Sequence, residues 1–226
     1  MSIKDVELSQ CFEYHLLAIQ TDVLAIELKI LWQDIATRYS EPTRAYHTLA
    51  HLRQLFSQFE QIKHKLCQPS IIALALFYHD VIYHPKSSDN ELKSAEYASE
   101  VLSTYLTVAQ TERIYHLIMM TAKHQLDDMN SINGYGYEQD FDSDAAYLLD
   151  MDLSILGAPW SKYEQYTKAV RQEYHHLTTA DYRVGRTRVL EDLLDHPTLY
   201  LTGDYYQRLE AQARENIKRE IALLAT

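Results

Sequence analysis

Cysteine, glycine, proline and positive charge are what this chain has least of. Cys11 and Cys67 are its only thiols and show no clustered spacing, which argues against a disulfide framework and a thiolate metal site. Glycine and proline occur five times each, where average usage over this length supplies about 16 and 11. Turns that need positive φ are therefore scarce, and a mostly helical chain is expected. Lys and Arg number 21 against 32 Asp and Glu, a net charge of −11. Nucleic-acid duplexes and anionic membranes need a cationic face, so neither is expected as a partner. A nucleotide-sized anion is compatible, because a few local arginines or a metal override the global field. The longest apolar stretch, 71–83, is too short to span a bilayer and carries His79 and Asp80. The opening MSIKDVELSQ lacks the basic-then-apolar layout of a signal peptide, and a cytoplasmic protein is expected.

What the 226 residues do hold is 46% hydrophobic side chains in helical spacing. The pattern predicts one long or two shorter helices over 5–38. A helix starting after Pro42 carries Leu52, Leu55, Phe56, Phe59 and Ile62 on one stripe. A buried helix follows from Ile71 to about Tyr83, capped by Ser70 and stopped by Pro85. Ser88 and Glu91 form a capping-box pattern opening a helix through Leu106. Further helices are expected from Thr111 to about His124, from Ser161 to about Leu177, over 180–194 and over 204–224. No segment alternates with period two. The expectation is an all-α protein, one helical domain over 1–226.

Residues 126–142, LDDMNSINGYGYEQDFD, break the pattern and hold two of the five glycines. A calcium loop starting at Asp128 would need a ligand where Ile132 stands, and one starting at Asp140 would need glycine where Ala145 stands. The stretch reads either as a solvated acidic loop or as a lid.

The chemistry gathers in three places. YHTLAHL sets His47 and His51 four apart, on one face if helical; by themselves such histidines are an ordinary exposed helix face. FYHDVIYH puts His79 and Asp80 inside the most apolar run. A buried carboxylate must be paired with a cation, and a metal is the strongest such partner. Imidazole with carboxylate suits Fe, Mn, Zn or Co. YLLDMDLSILG then adds Asp150 and Asp152 in another apolar setting, one of them a further ligand.

The order His … His-Asp … Asp resembles the HD superfamily of metal-dependent phosphohydrolases, all-helical proteins defined by that series. RAYHTLAHL, LALFYHDVIYHP, DNELKSAEYA, LIMMTAKH, LLDMDLSILG, VRQEY and ARENIKREI are together similar to an uncharacterised bacterial branch of predicted HD phosphohydrolases. YHTLAH is also similar to the Tyr-His-Asn-x-x-His of cyclic-nucleotide phosphodiesterases. The resemblance implies a divalent ion (Mn, Fe, Mg, Co, Ni or Zn) on His51, His79, Asp80 and Asp152, with His47 as general acid. Family members with a single histidine in the first motif instead make His47 the alternative ligand. The substrate implied is a small phosphoester, a nucleotide among the candidates.

Around that set, Glu91 is a candidate to hold a metal water, or else the partner of Ser88 in a cap. Asp150 joins the catalytic candidates. Arg44, one turn before His47, is the leading candidate for a substrate anion. His124 is a candidate for substrate or a second metal, or for a helix C-terminal dipole contact. Two further classes fit the same residues. One is a di-iron oxygenase using His84, Glu91 and His124 as extra ligands; the other is a non-catalytic nucleotide sensor. A homo-oligomer is compatible with all of them.

Overall fold

The computed structural model describes residues 8–126 and 139–226. Among them the chain is all-α, with ten α-helices and no strand. It divides into two compact units, residues 1–148 and 149–226. No helix among the described residues is long and apolar enough to cross a membrane.

The first unit holds α1 (Leu8–Leu17), α2 (Ala25–Arg38), α3 (Leu49–Ile62), α4 (Pro69–Tyr78), α5 (Asn90–Leu102) and α6 (Val108–Thr121), and most of α7 (Gln139–Asp152). Helix α4, PSIIALALFY, has no polar side, and every residue from Ile71 to Tyr78 is buried. A helix apolar all round is stable only when covered on all sides, and α1, α3, α5 and α6 all pack on it. Burial of each such large side chain stabilises by roughly 1.5–3 kcal/mol. Phe77 meets Phe12 edge-on at 5.4 Å and Phe56 at 4.3 Å, tying α1 and α3 to α4.

The start of α4 differs from the expected Ser70 cap. Gln68 takes the cap position and Pro69 the first helical one, where its missing N–H costs nothing. The hydroxyl of Ser70 lies 3.1 Å from Nδ1 of buried His15 instead. The carboxylate of buried Asp144, on α7, accepts from the backbone N–H groups of Cys67 (2.9 Å) and Gln68 (2.8 Å).

Three other boundaries moved. Helix α3 starts at Leu49, not after Pro42, because Thr48 caps it by accepting from Ala50 N–H at 3.2 Å. Its expected stripe, Leu52, Leu55, Phe56, Phe59 and Ile62, is buried. Helix α6 starts one turn before Thr111, at a reciprocal cap between Thr107 and Gln110. Helix α5 has Asp89 rather than Ser88 at its cap. The expected lid, 126–142, falls mostly outside the described residues, and its last four residues already belong to α7.

The second unit holds the end of α7, a 3₁₀ turn over Leu153–Gly157, α8 (Trp160–Glu173), α9 (Thr179–Asp195) and α10 (Gly203–Leu224). Helix α10 packs on the turn and on α9. The turn needs glycine at Gly157, where a Cβ would stand 2.6 Å from Cβ of Leu209. A buried ion pair, Arg186 with Glu220 at 2.8 Å, joins α9 to α10, and Tyr163 of α8 donates to the same carboxylate.

Candidate metal centre

Four side chains of the first unit converge on one point. His51 lies in the first turn of α3 and is 3% exposed; His79 follows the last residue of α4 and is 1% exposed. Their Nε2 atoms stand 3.4 Å apart. Oδ2 of Asp80 is 3.1 Å from Nε2 of His79, 3.9 Å from that of His51 and 4.0 Å from that of His47. One carboxylate oxygen thus sits among three imidazole nitrogens.

The tautomer of His79 is fixed by its other nitrogen. Nδ1 lies 2.8 Å from the carbonyl oxygen of Leu76, which can only accept. Nδ1 therefore carries a hydrogen, and Nε2 faces the carboxylate, as a donor when the ring is protonated and as a lone pair able to ligate a metal when it is neutral. Atoms bonded at about 2.1 Å to one ion stand about 3.0 Å apart at octahedral angles and about 3.4 Å at tetrahedral ones. The 3.1 and 3.4 Å separations lie in that range, and the 3.9 Å between Asp80 and His51 is wider. His51 and His79 are among the residues that could hold a metal ion.

His47 and His51 do not share a helical face. His47 precedes Thr48, the cap of α3, so it reaches Asp80 from the chain entering the helix while His51 reaches it from inside. Its ring stacks on Tyr83 at 4.1 Å and is less enclosed than that of His51. His79 and Asp80 likewise stand at the end of α4 rather than within a helix running to Tyr83.

The loop after α4 is held by its backbone. Ser94 Oγ accepts from Ile82 N–H and donates to Ile82 carbonyl, both at 3.1 Å. Asn90 accepts from His84 N–H at 3.0 Å and donates to its carbonyl at 3.1 Å. Tyr39 Oη accepts from Asp80 N–H at 3.3 Å. Arg44 donates to the carbonyls of His47, Asp80 and Val81. Its guanidinium therefore faces backbone, where a substrate anion was expected. Tyr39, Tyr83, Asn90 and Ser94 escape a reading of the sequence. Only the last pair left a trace there, two small polar residues four apart on α5.

The remaining candidates lie elsewhere in the fold. Glu91 is half-buried in the first turn of α5. His124 follows α6 by three residues with φ 49°, the left-handed region that few non-glycine residues adopt. Asp150 is in the second unit and fully buried. It accepts from the N–H groups of Leu201 and Thr202, both at 2.8 Å, and from the Thr202 hydroxyl at 2.6 Å, just ahead of α10. Asp152 is the last residue of α7, where the 3₁₀ turn begins.

No family model matches the chain, and neither curated proteins nor solved structures give a match.

Proposed function

We propose that the chain is a metal-dependent phosphohydrolase acting on a small phosphoester, with a nucleotide among the candidate substrates. The observation that carries the reading is the carboxylate of Asp80 set among the nitrogens of His47, His51 and His79. His51, His79 and Asp80 are the ligands. A divalent ion bound there supplies a Lewis acid for a phosphoryl oxygen and a water acidified towards pKa ~7.

Asp152 is proposed as a further ligand from its place in the His … His-Asp … Asp order.

His47 is the proposed general acid. It is more open than His51, its Nε2 is 4.0 Å from Asp80, and an imidazole can give a leaving oxygen the proton it needs. Glu91 is proposed to hold a metal water, and His124 is proposed for the substrate side. Asp150 takes no step here, because its two oxygens already accept three hydrogen bonds.

The test is metal analysis of the purified protein, then a phosphate-release screen over nucleotides and simple phosphoesters with Mn, Co, Mg and Ni. Bound divalent metal with metal-dependent phosphate release is the expected result. Two irons per chain with an oxygen-sensitive absorption band would point to the oxygenase instead. Tight nucleotide binding without turnover under any metal would point to a sensor.

A further inference from the structure

The side chain of Arg44 is fully enclosed. Of its five N–H groups, four have acceptors. Nε donates to Glu41 at 3.2 Å; Nη1 donates to the carbonyls of His47 at 3.2 Å and Asp80 at 2.7 Å; Nη2 donates to the carbonyl of Val81 at 3.0 Å. The rings of Tyr39 and Tyr83 lie 5.0 and 5.5 Å from its Cζ. Among the described residues one carboxylate, that of half-exposed Glu41, pairs with it. Burying a guanidinium is a costly way to stabilise a fold, since apolar residues of similar volume often do as well or better. What it offers is geometry: a rigid planar fork that reaches several carbonyls at once.

Those carbonyls are not a random set. Two belong to Asp80 and its neighbour Val81, and the third belongs to His47. We infer that Arg44 is a positioning residue of the metal centre, fixing the loop that presents His79 and Asp80 against the segment that presents His47. With Asp80 O and Val81 O both held, the backbone that aims the Asp80 carboxylate cannot turn. The inference rests on the metal reading above and adds to it a residue that touches neither ion nor substrate.

The experiment titrates chelator-stripped protein with Co²⁺, reading affinity by calorimetry and ligand geometry from the visible absorption band. In Arg44→Lys the ammonium keeps the charge but cannot span three carbonyls. Its Co²⁺ affinity is expected to fall by about 10- to 100-fold, the usual cost of losing an outer-shell support. Its band is expected to shift, with the helical circular dichroism retained. The control is Arg171→Lys in the second unit, since Arg171 also donates to two carbonyls, those of Tyr174 (2.7 Å) and Leu177 (3.2 Å). It should match wild type. Should Arg44→Lys not fold, Glu41→Ala loosens the same guanidinium from outside, and a several-fold loss with the same shift is expected. Unaltered affinity and spectrum in folded Arg44→Lys, or in Glu41→Ala in its place, overturns the inference. A wild-type protein that takes up no Co²⁺ overturns the metal reading itself.

Discussion

Nε2 of His79 stands 3.1 Å from Oδ2 of Asp80, the next residue in the chain, and both face Nε2 of His51. Helix α4 ends at Tyr78, and His79, which caps it, keeps α-region backbone angles (φ −59°, ψ −38°).

Asp80→Asn should therefore lose metal while keeping the fold. The amide has nearly the same shape but no charge, and His79→Ala removes a nitrogen ligand outright. Metal content after dialysis against a micromolar divalent salt should drop to near zero in both. Full occupancy in both would make the pair structural.

His51→Ala and His47→Ala should behave differently although both rings lie within 4.0 Å of Asp80. His51→Ala should lose the ion and the stability that the ion lends the folded state. His47→Ala should keep its metal and melt close to wild type, while turnover of a phosphoester falls by about 10²–10⁴. That loss should shrink for a nitrophenyl ester, whose leaving group needs no proton. A reversed pattern assigns His47 as the ligand.

Asp144→Ala should destabilise without touching chemistry. It strips the charged acceptor from two part-buried backbone N–H groups ahead of the central helix, and a hydrogen bond to a charged group is worth about 1.5–3 kcal/mol. Urea unfolding should give a loss of roughly 2–5 kcal/mol. A loss below about 0.5 kcal/mol would mean that water replaces the carboxylate there.

Asp150 makes stability depend on pH. Burial pushes its carboxyl up to about 6, against the pull of the Thr202 hydroxyl and of two backbone N–H groups. The folded protein then holds this proton more tightly than the unfolded chain. Its contribution is complete below pH 3.8 and is lost as pH rises through about 6. A shift of about two pH units corresponds to the order of 3 kcal/mol. Urea unfolding of wild type minus that of Asp150→Asn should fall by an amount of this order between pH 4 and 7. A flat difference would show that the hydrogen bonds outweigh burial.

The helices were legible because their causes are local. The Leu52 to Ile62 stripe and the apolar run at 71–78 announce themselves by spacing and composition. Their ends were not legible, because they are set by distant partners. Ser70 looks like a cap until His15 takes its hydroxyl. His47 looks helical until Thr48 proves to be the cap. Arg44 looks like an anion binder from its place one turn before His47, yet two of its four acceptors lie 36 and 37 residues away, at Asp80 and Val81. The convergence of His51, His79 and Asp80 was legible as an order of residue types. Which atoms meet depends on side-chain directions that the order alone does not carry.

The most direct measurement is an anomalous difference map from a crystal grown with Mn²⁺, collected at the manganese edge. The account predicts one peak within about 2.0–2.3 Å of Nε2 of His51, Nε2 of His79 and Oδ2 of Asp80. A fully occupied crystal form with no peak there, or with manganese bound only at other residues, would contradict it.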